Sequence, residues 1–403
     1  MNDLDLLITW FATLDKIGAN EDGSFSRLGY TDTEDAMIAT VLGFSELLGF
    51  GCYTDEVGNT FIYDKALGDN SKVERTLIAS HVDSVVSGGK YDGVAGVLAG
   101  LIVLKRIKEQ GLNIPVHVGI FRMEESSVFG IATTGSKLVS GQITEATLKN
   151  AKEQNGVSLY DRIKECGFNP NPPKITGLKQ YLELHIEQGR VLESKGLKLG
   201  VVSSIAAPVR MWVKFTGKQD HSGATPMDIR KDSLVAAAEL VIHVEQAATN
   251  ELNNASVGTT GIIRNTPNVF NVVPGETTLG LDIRGIDKAS RQRVLESVEL
   301  KAKQLAEKRG LELDINKVSS SDPVKLSTDL QNKLSAAANK LNIEHIVMPS
   351  GAGHDAMNFV DICPVGMLFI PCVDGISHNK LESASIADIV AGCDVLMEYL
   401  KSN

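Results

Sequence analysis

The sequence predicts an α/β protein: a mixed, mostly parallel sheet with helices on both faces, interrupted by a second, ferredoxin-like α+β domain. Three observations carry this. The first half alternates short apolar runs with helix-like stretches, as in TLIASHVD, VAGVLAGLIVLKRIKEQG and PVHVGIFRMEE, which is the order of a βαβ unit. Residues 208–321 change rhythm to strand, helix, strand, strand, helix, strand, the βαββαβ order of a split ferredoxin-like unit. Finally, 403 residues exceed what one hydrophobic core usually supports, so two domains are expected. These patterns put 1–207 and 322–403 in the first domain and 208–321 in the inserted one.

Taken in order, the opening MNDLDLLITWFATLDKIG suits an amphipathic helix. Asp3 and Asp5 stand where a secretory signal wants positive charge, and no small-residue cleavage site follows. TLIASHVD is a short strand ending in polar residues, SGGKYDG a glycine-rich turn, and the next stretch a helix. The most apolar run, 93–104, is too short to span a bilayer. In the inserted part, VRMWVKFTG, VGTTGIIRN, TTLGLDIRG and LELDINKVS are strand-like, while KDSLVAAAELVIHVEQAATN and KASRQRVLESVELKAKQLAEKRG are helix-like. The chain then resumes with a helix over 327–341, the strands IEHIVMPS and VGMLFIP, and a closing helix over 385–401.

Composition narrows the function. Hydrophobic residues at 43% and charged residues at 22% are ordinary for a soluble globular protein. A net charge of -10 repels phosphate backbones and anionic lipid heads, so neither nucleic acid nor membrane is an expected partner. A small anionic substrate would need locally placed cations. The five cysteines are scattered and form no CxxC pair, which disfavours a zinc ribbon or a disulfide framework. Free thiols in a reducing compartment fit better, and a cytoplasmic protein is expected.

Five segments hold the residue types of a hydrolytic metal site. In SHVDS, His81 offers an imidazole and Asp83 can accept its other ring N–H, fixing tautomer and orientation. In GGKYDGVAG, Asp92 has two oxygens and can bridge two cations. FRMEESS puts Glu124 and Glu125 side by side at a strand end, where successive residues face opposite ways and can divide two roles. LELHIEQG supplies His185, and GISHNKLE supplies His378 after a glycine-containing turn. His81, Asp83, Glu124 and Glu125 all fall at carboxyl ends of expected strands, where open α/β sheets bind ligands. Nitrogen and oxygen donors without thiolate fit Zn, Mn, Co or Ni and do not choose among them.

The strings SHVDSVVSGGKYDGVAG, EES, LELHIEQGRVLE, HSGATPM, NVVPGETTLGLDIRG, SGAGHDA and GISH, in this order over residues 80–378, resemble the M20 family of metal-dependent peptidases and deacylases. Within it they are similar to the allantoate amidohydrolase and N-carbamoyl-L-amino-acid hydrolase branch. The resemblance implies two divalent metal ions per subunit: His81, Asp92 and His185 would hold one, and Asp92, Glu125 and His378 the other. It implies Glu124 as general base, Asp83 as the residue orienting His81, and His221 as the donor that stabilises the tetrahedral oxyanion. Arg284 would clamp the substrate carboxylate, with Gln188, Asn271, Gly351, Ala352 and His354 as further substrate contacts. Two cations lower the pKa of a water so that hydroxide is available near neutral pH, and a carboxylate base can pass the proton to the leaving nitrogen.

The resemblance also implies a homodimer through the inserted domain, which would act as a lid. One departure is visible. The branch commonly carries a small residue, Arg and Phe after the Glu pair; here Ser126, Ser127, Val128 and Phe129 follow, and the arginine is missing. The expected activity is cleavage of a C–N bond in an N-carbamoyl-L-amino acid or an allantoate-like ureido acid. An aminoacylase or dipeptidase of the same superfamily is the alternative, and a catalytically silent metal-binding homologue a more distant one. HIEQG favours the ureido branch, because His185 stands where the peptidases commonly carry a carboxylate ligand.

Overall fold

The computed structural model describes residues 2–67, 74–153, 155–254 and 256–403. The chain forms two compact units, Met1–Ser203 with Lys325–Met348 and Gly353–Asn403, and Ser204–Val324 with Pro349–Ala352. In chain order the strands are β1 (Gly51–Thr54), β2 (Thr60–Tyr63), β3 (Arg75–His81), β4 (Val116–Phe121) and β5 (Leu178–Ile186). They continue with β6 (Leu199–Ile205), β7 (Ala207–Thr216), β8 (Asp220–His221), β9 (Val257–Thr266), β10 (Val272–Val273) and β11 (Glu276–Gly285). The last are β12 (Glu312–Ser320), β13 (Val324–Lys325), β14 (His345–Ser350) and β15 (Val365–Ile370).

Among the described residues the larger sheet runs β1-β2-β4-β3-β5-β15-β6-β13, with β14 beside β6. Its centre is parallel: β3 pairs with β4 and with β5, and β5 with β15. The pairs β1/β2, β2/β4 and β15/β6 are antiparallel, so the sheet is mixed and mostly parallel at its core, as expected. Every residue of β3, β4 and β15 is buried, because helices cover both faces, and this is why these strands are continuous apolar runs. On one face the helix Val94–Glu109 packs with the helices Asp3–Leu14 and Ile386–Ser402 around Phe11, Leu98, Leu101, Val118, Leu184 and Leu396. On the other, Phe359 stacks on Tyr181 with ring centroids 4.6 Å apart and meets Phe121 at 5.4 Å.

The second unit is an antiparallel sheet ordered β12-β7-β11-β9, the arrangement that βαββαβ connectivity produces. Strands β7 and β11 alternate buried and half-buried residues along their whole length. One face packs on the helices Ser233–Thr249 and Lys288–Arg309 through Val213, Phe215, Leu240, Leu281 and Val298. The other lacks that cover, which is the condition under which strands show period-two patterning. A separate two-stranded ladder, β8 with β10, pairs Val272 with His221. Among the described residues no helix is long and apolar enough to cross a membrane.

Candidate metal centre

The parallel strands deliver the site. His81 is the last residue of β3 and His185 the last but one of β5; Glu124 and Glu125 follow β4, and His378 follows β15. Because β4, β3, β5 and β15 are sheet neighbours, their carboxyl ends converge, as in other open α/β sheets. Asp92 comes from the turn between β3 and the helix Val94–Glu109. That turn closes on Gly93, whose φ of +66° and lack of a side chain are both needed: a Cβ there would stand 2.5 Å from the His81 ring.

The two oxygens of Asp92 face different imidazoles. Oδ1 lies 3.1 Å from His185 Nε2 and 3.5 Å from His81 Nε2. Oδ2 lies 3.3 Å from His378 Nε2, which in turn lies 3.1 Å from Glu125 Oε1. Ligand atoms about 2.0–2.1 Å from a tetrahedral zinc stand about 3.3 Å from one another, so these separations, ordinary for ion pairs between the same groups, also suit donors that would surround a cation. Both sets, His81 with Asp92 and His185, and Asp92 with Glu125 and His378, bring their ligand atoms within 4.8 Å of one another. The ring orientations agree. His185 Nδ1 faces the carbonyl of Ile186 at 2.9 Å, and His81 Nδ1 faces the backbone oxygen of Asp83 at 3.1 Å. With Nδ1 carrying the proton, each Nε2 lone pair is turned to the centre. A third set, Glu183, His185 and His354, is equally close. Its Glu183 already accepts from Ser80 Oγ, Tyr181 Oη and the Ala356 N–H, which leaves little of it for a cation.

Electrostatics points the same way. Burial works against ionising Asp92, yet the imidazoles, His185 foremost, hold its carboxyl well below the usual range. Burial pulls the His81 imidazole down, and the Asp83 and Asp92 carboxylates more than reverse this. Glu124 differs: burial, reinforced by Glu125 and Asp355 against the pull of His81, holds its carboxyl well above the ordinary value. A carboxyl so shifted within a cluster of charged groups is a candidate for proton transfer. His354, whose ring packs edge-on against His185 at 4.6 Å, is kept neutral by burial and by the neighbouring imidazoles.

The structure alters part of the sequence reasoning. Glu124 and Glu125 do not diverge by strand alternation, since β4 ends at Phe121 and Met123 adopts a φ of +49°. Asp83 holds them instead: its Oδ1 accepts from the Glu124 N–H and its Oδ2 from the Glu125 N–H, both at 3.0 Å. Asp83 thus positions the Glu pair as well as His81. Gln188 Nε2 donates to Asp92 Oδ2 at 2.7 Å, while its buried Oε1 has no hydrogen-bond partner among the described residues.

The remaining predicted residues belong to the second unit. His221 is exposed, and its Nδ1 accepts the N–H groups of Gly223 and Ala224 at 3.0 and 3.1 Å. Its proton therefore sits on Nε2, ready to donate. The β8/β10 ladder sets Asn271 beside it, with the Asn271 carbonyl accepting from the Ser222 N–H. Arg284 forks onto Asp282 through Nε at 2.8 Å and Nη2 at 3.0 Å, leaving Nη1 3.5 Å from the Gly351 carbonyl. The Ala352 N–H donates to Ser350 Oγ.

Sequence reasoning missed several supports. Buried Glu34 accepts from the N–H groups of Tyr30 and Met123 and pairs with Arg122 at 2.6 Å, fixing the bend that precedes Glu124. Lys137 donates to the Ala132 carbonyl at 2.9 Å; burial lowers its pKa while Glu124 and Asp355 oppose the shift. Glu34 carried no signal of its own, being one of three carboxylates in the first turn of its helix, where acidic residues are ordinary.

The chain is similar to known proteins over nearly its whole length. The model of peptidase family M20/M25/M40 matches residues 77–402. The chain is 36% identical over 396 residues to an N-carbamoyl-L-amino-acid amidohydrolase of Pseudomonas sp. (strain NS671), covering 96% of this chain and 95% of that one. It is 34% identical over 391 residues to the allantoate amidohydrolase of Escherichia coli (strain K12), covering 95% and 94%. A crystal structure of an amidase of the hydantoinase/carbamoylase family from Burkholderia multivorans superposes with a TM-score of 0.87 at 30% identity, covering 99% of this chain and 97% of that one.

Proposed function

This chain belongs to peptidase family M20/M25/M40, and from that premise we propose that it is a dinuclear amidohydrolase acting on a small carboxylate-bearing ureido compound, an N-carbamoyl-L-amino acid or an allantoate-like acid. The observation that carries the reading is the division of Asp92, one oxygen toward His81 and His185 and the other toward His378, beside a buried Glu124. Two divalent ions, Zn or alternatively Mn, Co or Ni, would be held by His81, Asp92 and His185 and by Asp92, Glu125 and His378. When bound they supply Lewis acidity, lowering the pKa of water and polarising the attacked carbonyl.

The chain's own residues do the rest. Glu124 takes the proton of the attacking water and delivers it to the departing nitrogen as the C–N bond breaks. His221 donates from Nε2 to the oxyanion. Arg284 receives the substrate carboxylate, with Asn271, Gln188, His354 and the backbone of Gly351 and Ala352 around it. Hydrolysis of an N-carbamoyl amino acid releases ammonia, carbon dioxide and the free amino acid; an allantoate-like acid loses ammonia and carbon dioxide from one ureido arm. The relatives named for these two reactions support this substrate class. The proposal extends to a cytoplasmic homodimer joined through the second unit. Strand β9, at the edge of its sheet, exposes Val257, Ile262 and Ile263, and an uncovered apolar edge favours pairing with another copy.

Ammonia release tests the reading. Protein loaded in turn with Zn, Mn, Co and Ni is offered N-carbamoyl-L-amino acids, allantoate and neutral carbamoyl amines. Ammonia from the carboxylate-bearing compounds alone is expected. If none of them yields ammonia with any metal, the reading fails. Free amine from N-acyl amino acids or dipeptides, with no ammonia from ureido acids, would establish the aminoacylase or dipeptidase alternative.

A further inference from the structure

We infer that Glu382, acting with Ser377, is the positioning residue that ties the loop carrying His378 to the turn carrying Asp92, and so builds the second of the two cation sites. The inference rests on the dinuclear reading above. Glu382 is buried, at 5% exposure, and each of its oxygens has work. Oε1 accepts from the backbone N–H groups of Tyr91 at 2.8 Å and Asp92 at 3.1 Å. Oε2 stands 2.9 Å from Ser377 Oγ, which is also 2.9 Å from Asp92 Oδ2. The Ser377 hydroxyl, with one proton to donate, stands between the two carboxylates, and Glu382 holds Asp92 directly through its main-chain N–H. The fit is close: a Cβ on Gly89 would lie 2.2 Å from the Glu382 carboxyl carbon, so the turn needs glycine there to let Glu382 in.

The placement explains a geometric problem. His378 sits on an irregular loop, its side chain 47% exposed and its φ at +55°, whereas His81 and His185 are fixed by strands and almost fully buried. Nothing in the backbone ladder sets the distance from His378 to Asp92. Ser377 and Glu382 flank His378 in sequence and both hold the Asp92 turn, so they supply that constraint. Asp92 Oδ2, the oxygen Ser377 touches, is the one facing His378. Loss of the clasp should therefore cost the second cation far more than the first, whose other ligands, His81 and His185, are held by strands.

The test is metal stoichiometry and affinity in the full chain, read by elemental analysis after dialysis and by chelator competition. Glu382→Ala is expected to bind one ion tightly and the second 10–100-fold more weakly, the scale on which residues supporting metal ligands act. Glu382→Gln keeps the Oε1 acceptor and can donate to Ser377 Oγ, so it should retain both ions near the wild-type affinity. If Glu382→Ala fails to fold, Ser377→Ala decides: about tenfold weaker binding of the second ion is expected. Wild-type and alanine variants that bind two ions equally well would overturn the inference while leaving the dinuclear reading intact. Wild-type protein that binds no divalent ion would overturn that reading itself.

Discussion

The two units hold their candidate functional groups in opposite ways. In the first, His81, Asp83, Asp92, Glu124 and His185 are buried; Asp83 is tied to Glu124 and Asp92 to His185 across long stretches of sequence, while His81 leans on the nearby Asp83 and Asp92. In the second, His221 and Asn271 are exposed on a short ladder, and the brace on His221 comes from its own turn, the N–H groups of Gly223 and Ala224. The strands differ likewise: wholly buried in β3 and β4, alternating in β7 and β11. Burial strengthens charge interactions and shifts pKa values, which metal binding and proton transfer require. Groups that must meet a substrate as it arrives gain from staying solvated.

That contrast can be broken by experiment. The largest effect should be on metal affinity as a function of pH. Burial pulls the His81, His185 and His378 imidazoles down, but the surrounding carboxylates leave all three raised, His378 to about 11. A raised pKa means that the metal-free protein keeps protons on these rings, and a cation must displace them. Apparent affinity should rise with pH, about tenfold per unit for each proton displaced. Calorimetry in buffers of different ionisation enthalpy would count the protons; no release would show that the rings are not the ligands.

Next in size, Glu124→Gln should lower turnover by about 10²–10⁴-fold with metal content unchanged. Loss of metal instead would mean that the roles of Glu124 and Glu125 are exchanged. For the second unit, His221→Ala should reduce kcat by about 10²–10³-fold, the range for removing an oxyanion donor, again with both ions kept. A fall in metal content there would erase the distinction between the units. The smallest effect is expected of Arg284→Ala, which should raise KM for carboxylate-bearing substrates by about 10–100-fold, matching roughly 1.5–3 kcal/mol for hydrogen bonds to a charged group. Its kcat should change little, and a pure kcat loss would argue for a role in chemistry.

The fold was legible because periodicity tracks burial: βαβ order and βαββαβ order both survive in the structure. The candidate donors could be picked out as residue types, His81 and His185 at strand ends, Asp92 in a glycine turn and His378 on a loop. What remained hidden lies in conformations that local patterns do not encode. Met123, Gln188 and His378 all adopt positive φ, at 49°, 57° and 55°, a region that sequence rules reserve mainly for glycine and asparagine, and such outliers cluster at functional sites. The pairing of Gln188 with Asp92, the double duty of Asp83 and the buried Glu34–Arg122 pair each join residues far apart in sequence, so no local window reveals them. The β8/β10 ladder is too short to show any period at all.

One arrangement bears on how the protein is made. The chain passes through the whole second unit between His185 and His378. During synthesis on the ribosome, the imidazoles facing one oxygen of Asp92 therefore emerge well before the one that faces the other. The chain thus supplies His81, Asp92 and His185 before any residue of the second unit, and His378 only after all of it.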